Sequence, residues 1–540
     1  MTAAPCPALS VTERLARWIA SVRYDDLPES ARAMARLQIA SNVAAICAGA
    51  ATEPGRAVRR AVLGWNKPGN CRVLPTGERT ALHEAVLVNA SLSMALDYDD
   101  YLYLGHTGHS AVLGSLALAE DLGLSGRDLV LAQVVANEIG GRLGASAVLG
   151  PQNGQAWSFL HLAEGAAAAA KLLGLDAEQT AHALAIALYQ PTFTLWPGFM
   201  GPGSKLLTAA GPTVTGIQAA QFAREGLTGA RSIVEHPRRG FWHAFSFVAL
   251  PRALDGLGKV WLTETLAFKP YPGCAYVDTT LDAFFAGLER ARAERGAPLA
   301  PDEVARVRVE ASALTVEMDN LAAEHADAAR LEPAHVNFSI PLSVAIGLLA
   351  GRLTGAEMRP EFLDARAAEV RALAARVELR HDWPMSFAVL RSFRAGPLGR
   401  LLPRRIALRD IRRLAFGARD ALGGAKRHPL GFGRMFGPAA RAIADRVKSG
   451  PPDEGAPFRM VFPARVTLVL RDGREFAAER DVPRGAPGDP DYADVVREKF
   501  FREVGEARGE AVAREAWDRV TFIEEGPVAA LTDAVCREGS

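Results

Sequence analysis

Apolar positions in the first half of the chain recur at helical spacing. Ala and Leu fall three and four residues apart through long stretches, while runs of Val, Ile and Thr are scarce. Start signals flank these stretches. Ser125-Gly126-Arg127-Asp128 places a cap residue and an acid three positions on ahead of LVLAQVVANEIGGRLG, and Asp176-Ala177-Glu178-Gln179 repeats the pattern. Gly174 and Gly226 read as helix stops. The texture changes near Lys269. VARVRVEAS (304–312), ARVELRHD (375–382) and FRMVFPARVTLVL (458–470) carry β-branched residues in period-2 alternation, and Asp472-Gly473 supplies a hairpin turn. After Pro490 the pattern is helical again. A mostly α protein is expected: a large all-helical domain over 1–267, a smaller α+β domain over 268–486, and C-terminal helices over 487–540 that return to the helical domain.

Composition narrows the class. The 540 residues are 49% hydrophobic and 23% charged, which excludes a largely disordered chain. Lys and Arg number 62 against 61 Asp and Glu, so no broad nucleic-acid-binding surface is expected. The five cysteines are scattered with no CxxC pair, and reduced thiols are the simplest reading. The N-terminal stretch lacks a basic leader followed by an apolar run. The uncharged stretch from Pro333 to Gly351 is interrupted by polar residues and Pro341, and its apolar part is too short to span a bilayer. A cytoplasmic protein without membrane contact is expected. Residues 391–448 are rich in arginine, from Arg391 to Arg441, and read either as a solvated basic face or as a docking patch for an acidic partner.

The densest chemistry lies in Ala95-Leu96-Asp97-Tyr98-Asp99-Asp100-Tyr101-Leu102-Tyr103-Leu104-Gly105-His106-Thr107-Gly108-His109-Ser110, between two apolar helical stretches. A carboxylate beside a histidine fixes its tautomer and raises its basicity, which suits general acid/base work. His106 and His109 among acids also have the composition of a metal site or of a structural hydrogen-bonded cluster, and spacing alone does not separate these.

This segment resembles the "ALDFDD…HPG…ALALAE" signature of the MmgE/PrpD family, which includes 2-methylcitrate dehydratase, cis-aconitate decarboxylase and iminodisuccinate epimerase. Lys269-Pro270-Tyr271-Pro272-Gly273-Cys274 is similar to the family's "KPYPSC", Asn337–Ala345 to its "FSxPYxVA", and Asp472-Gly473-Arg474, Pro483-Arg484-Gly485 and Lys499-Phe500 to its "DGR…PKG…KF". The basic region, about 396–457, reads as an insertion. The resemblance implies an all-helical domain with an α+β lid, a site in the cleft between them, a homodimer, a small-molecule substrate and no cofactor or metal.

Carried over residue by residue, it implies His106 as the proton-transferring group, Asp97 as its orienting acid and Lys205 as the holder of a substrate carboxylate. Tyr101, Tyr103, His109, Trp157, Trp196, Lys269, Tyr271, Cys274 and Asp278 are the expected substrate-binding residues. The chain also departs from the pattern. Ala156 and Trp157 stand where the family has a histidine, with His161 out of register. Ala275 and Asp278 replace an arginine and a histidine, and Leu342 replaces a tyrosine. Fewer cations line such a pocket, so a lyase or isomerase is expected to act beside a carboxylate or carbonyl on a substrate less anionic than citrate-type acids. Dehydration, decarboxylation and epimerisation all remain open. The alternatives are a biosynthetic enzyme for an amine-bearing or apolar substrate and a non-catalytic ligand-binding homologue.

Overall fold

Two hydrophobic cores organise the molecule, one helical and one built on a sheet. In the helical part, α1 (Glu29–Ala50), α2 (Leu82–Met94), the single-turn α3 (Gly108–Ala111), α4 (Gly126–Ala147), α5 (Ser158–Leu172) and α6 (Leu207–Arg224) pack around a core that runs from Val11 to Phe268 and takes in Val496–Val535 from the C-terminal helices. The computed structural model describes residues 9–103, 105–150, 154–155, 158–326, 330–393, 399, 401 and 457–537. Ser125 and Asp128 form the capping box expected at the start of α4, and Asp176 and Gln179 form the one at the Ala177–Leu188 helix.

Between Asp100 and Leu102 the connector after α2 forms a short strand, β1. It pairs antiparallel with β2 (Leu266–Phe268), with Asp100 opposite Phe268. This pairing brings the acidic connector against Lys269, about 170 positions later in the chain.

Beyond β2, α7 (Ala275–Arg295) leads into a four-stranded sheet of β3 (Val304–Ala311), β4 (Val377–His381), β5 (Ala464–Leu470) and β6 (Glu475–Arg480), in the order β6-β5-β3-β4. The β5–β6 hairpin closes on Gly473 at φ +89°, the left-handed conformation that Asp-Gly supplies. The strand expected over 458–470 begins only at Ala464. The β3–β4 pair is parallel, joined by a helical crossover. The second core combines this sheet and α7 with Leu96, Tyr98 and Phe199 of the helical part, so Asp97 lies where the two cores meet. The C-terminal helix α8 (Tyr492–Arg508) packs back on α1.

Apart from Gly399, Leu401 and Pro457, the 396–457 insertion lies outside the described residues, as do Ala156 and Trp157. Among the described residues, no helix is long and apolar enough to cross a membrane.

Candidate active site

Asp97 sits at φ +49°, a left-handed conformation that a non-glycine residue adopts at some cost. Lys269 holds it there by donating Nζ–H to the Asp97 carbonyl at 2.7 Å. The same ammonium lies 3.3 Å from Asp97 Oδ1 and donates to Asp99 Oδ1 at 2.9 Å. Lys205, delivered by a 3-10 turn ahead of α6, places its Nζ 3.5 Å from Asp97 Oδ1. That ammonium is fully buried and rests against the faces of Phe338 and Phe199 (4.5 and 5.5 Å to the ring centroids). It has no hydrogen-bond partner among the described residues.

Asp99 is the hub. His109 Nε2 lies 3.0 Å and His106 Nδ1 3.3 Å from its Oδ2. His106 Nδ1 is also 3.1 Å from the Asp100 carbonyl, so that nitrogen carries the proton. His109 Nδ1 is 2.7 Å from Ser93 Oγ. His106 is partly exposed, with 20% of its side chain accessible, whereas His109 is sealed. Asp100 accepts from Gln38 and Asn42, each at 2.7 Å.

Charge explains how these groups coexist in a dry place. Burial pushes the Asp97 carboxyl up, but Lys205, Lys269 and His106 outweigh it and leave it below the usual range. Asp99 is held well below that range against burial by His109, Lys269 and His106. Burial lowers Lys205 despite Asp97, whereas the two carboxylates keep Lys269 raised. Asp100 is pushed up to about 7 by burial and by Asp99.

Asp97, Asp99 and His106 each offer a ligand atom within 4.8 Å of the others, a set that could accept a cation. Lys269 already brings positive charge to both carboxylates, so they do not need a metal to balance them.

On the sheet side, Cys274 caps α7, and its backbone N–H donates to Asn337 O at 2.8 Å. Burial, reinforced by Asp97, pushes its thiol up to about 12. Asp278, in the first turn of α7, is fully buried with neither carboxyl oxygen hydrogen-bonded among the described residues. Burial raises it well above the usual carboxylate range and so favours its neutral form. Tyr101 packs between His106 and Phe462, at 6.2 Å to each ring.

The other expected positions make contacts of their own. The Tyr103 hydroxyl donates to Phe393 O at 3.0 Å, with its ring edge-on to Phe393 and Phe458. Tyr271 donates to Asp282 at 3.1 Å and packs at a tilt against Phe285. Trp196 packs edge-on against Phe199.

The structure also adds residues. Lys499 of α8 is fully buried under the connector, donating to Ser41 Oγ at 2.9 Å and to the Tyr98 carbonyl, and burial lowers it to about 7. His161 and Glu164 of α5 meet Ser110 inside the helical core. The sequence signal for these residues is polar positions set among buried apolar ones: Gln38 and Asn42 on α1, and His161 and Glu164 on α5.

A helical core joined to an α+β unit, with a buried acid–lysine–histidine cluster at their seam, is the framework of a known protein class. The MmgE/PrpD N-terminal domain model matches residues 13–250 and the MmgE/PrpD C-terminal domain model matches residues 271–410. The chain belongs to the MmgE/PrpD family. It is similar to cis-aconitate decarboxylase of Aspergillus terreus, 26% identical over 291 residues, covering 51% of this chain and 59% of that protein. It is also similar to the cis-aconitate decarboxylase-like protein oryM of Aspergillus oryzae, 24% identical over 283 residues, covering 49% and 58%. The alignments thus span somewhat over half the length of these curated relatives.

Proposed function

We propose that this chain is a cofactor-independent lyase or isomerase that moves a proton at a carbon beside a carboxylate. Lys205 carries this reading. A fully buried ammonium that pairs with Asp97 at 3.5 Å but makes no hydrogen bond among the described residues has unused hydrogen-bonding capacity, and a substrate carboxylate fits it in charge. Held there, the carboxylate can accept the electron pair left on the neighbouring carbon, and the ammonium stabilises the charge that develops. His106, oriented by Asp99 and the Asp100 carbonyl at the partly open side of the cluster, exchanges the proton. Asp97 and Asp99 fix the two lysines and two histidines and keep the cluster near neutrality.

The same arrangement argues for a substrate with few charges. Lys269 is already engaged by Asp97 and Asp99, which leaves Lys205 as the ammonium for a carboxylate. Asp278 stands in the first turn of α7 and supplies no positive charge for a second carboxylate. A substrate with one carboxylate beside a carbonyl or hydroxyl therefore fits best. The names of the relatives favour a second reading, decarboxylation of cis-aconitate. Direct turnover assays of cis-aconitate, 2-methylcitrate and a panel of monocarboxylic hydroxy and keto acids separate the two. The expected result is turnover within the monocarboxylate panel. Efficient turnover of either tricarboxylate, above about 10⁴ M⁻¹s⁻¹ in kcat/KM, would overturn the low-charge reading.

A further inference from the structure

Lys499 has no part in the proton transfer described above, yet its nitrogen lies directly beneath the residues that perform it. The left-handed turn at Asp97 takes the connector out of regular structure, so its buried carbonyls need donors from elsewhere. Four successive carbonyls each receive a side-chain donor. Lys269 Nζ donates to Asp97 O at 2.7 Å, and His106 Nδ1 donates to Asp100 O at 3.1 Å. Between these two, Lys499 Nζ donates to Tyr98 O and lies 3.5 Å from Asp99 O, while Ser41 Oγ donates to Asp99 O at 3.1 Å. Lys499 also donates to Ser41 Oγ at 2.9 Å. An ammonium has three N–H donors, and an oxygen faces each of the three here. Lys205, by contrast, makes no hydrogen bond among the described residues. Lys499 is thus committed to the connector and has no donor left for a ligand.

The neighbouring turn of α8 grips the same connector. Arg502 and Glu503 stand three and four positions after Lys499, on the same helix face. Arg502 donates to the Tyr98 hydroxyl and, at 3.3 Å, to Pro270 O, and Glu503 Oε1 accepts from that hydroxyl at 3.3 Å. Lys499 Nζ itself rests 4.2 Å from the centroid of the Tyr98 ring. An apolar side chain would fill this slot without the cost of burying a nitrogen, so packing alone does not account for a lysine here. Burial lowers Lys499 to about 7, against the opposing pull of Asp99 and Asp100. Charged or neutral, Nζ keeps at least two N–H donors for the connector.

We propose that Lys499 is a positioning residue for the proton transfer: by holding the Tyr98 and Asp99 carbonyls, it sets the connector so that the Asp99 carboxylate meets His106 and His109. This rests on the role proposed for His106 above. Asp99 Oδ2 lies 3.3 Å from His106 Nδ1 and 3.0 Å from His109 Nε2, so a small shift of the Asp99 backbone moves it against both rings. Without Lys499 the Tyr98 carbonyl loses this donor, and the Asp99 carbonyl depends more heavily on Ser41. The carboxylate then drifts, and His106 loses the partner that fixes its tautomer. The reaction slows although every group near the substrate is still present.

The test reads the histidine directly as well as the rate. In ¹⁵N-histidine spectra of the full-length protein, the His106 signals are assigned by their loss in His106→Ala. The parent is expected to show His106 protonated on Nδ1. In Lys499→Met the two ring nitrogens should move toward the averaged shifts of mixed tautomers. With an accepted substrate, Lys499→Met should lower kcat by roughly 10–100-fold and leave KM within about threefold. Ser41→Ala removes only the hydroxyl shared by Lys499 and the Asp99 carbonyl, and should move the same signals less far. A folded Lys499→Met protein whose His106 signals match the parent overturns the proposal, as does one that turns over within about threefold of the parent. Should Lys499→Met fail to fold, Ser41→Ala is read in its place, and His106 signals identical to the parent's overturn the proposal. If the parent acts on none of the acids, the proposed chemistry fails by itself, and the His106 spectra still decide the role of Lys499.

Discussion

At the residue scale, the site works by mutual compensation. Asp97 alone offsets much of the charge of Lys205 and shares that of Lys269, and all three are buried. Asp97→Asn leaves a net buried positive charge and is expected to destabilise the fold by about 3–5 kcal/mol, measured by denaturant unfolding. A loss below about 1 kcal/mol would mean that the ammoniums find other partners. His106 stands differently. It is the partly exposed member, so its removal should spare the fold and strike the chemistry. His106→Ala is expected to lower kcat by roughly 10²–10⁴-fold, with the unfolding midpoint nearly unchanged. Turnover within a few-fold of the parent would take His106 out of the mechanism.

At the element scale, two helices carry the site from behind, and they touch through small residues. A Cβ on Gly216 of α6 would lie 2.3 Å from Leu162 O and 2.8 Å from Ala166 N of α5. Backbone cannot yield as a flexible side chain does, so the helices would have to part. Gly216→Ala is expected to cost about 1–3 kcal/mol and to shift His161 and Lys205, which sit at or just ahead of the two helices. Thermal unfolding at or above the parent midpoint would show that the crossing is looser than the geometry indicates. The Ala-rich run of α5 foretold close helix contact in general, but the contact that places His161 depends on which face α6 covers.

Across the whole molecule, the buried ionisable groups set opposite pH dependences. Asp100 is raised to about 7 and Asp282 to about 6. Between about pH 4 and 7 the native state therefore holds protons that the unfolded chain has lost, and this contribution to stability falls as pH rises. Lys499 is lowered to about 7, so between about pH 7 and 10 the unfolded chain holds the proton and stability rises with pH. The urea midpoint is expected to be higher at about pH 5 and pH 9 than at about pH 7, and Lys499→Met should remove the rise on the alkaline side. A rise that survives in Lys499→Met would assign it to other groups. Sequence alone determined the helical first half, the capping boxes at Ser125 and Asp176, the turn at Gly473 and the family signatures, because local periodicity and backbone preference are written into neighbouring residues. Tertiary structure alone decided which charges meet. The β1–β2 pairing carries Lys269 to Asp97 and Asp99, α8 slides Lys499 beneath them, and α5 turns His161 and Glu164 toward Ser110. Contacts between residues 50 to 400 positions apart depend on strand register and helix packing, and those depend on every side chain in the core at once.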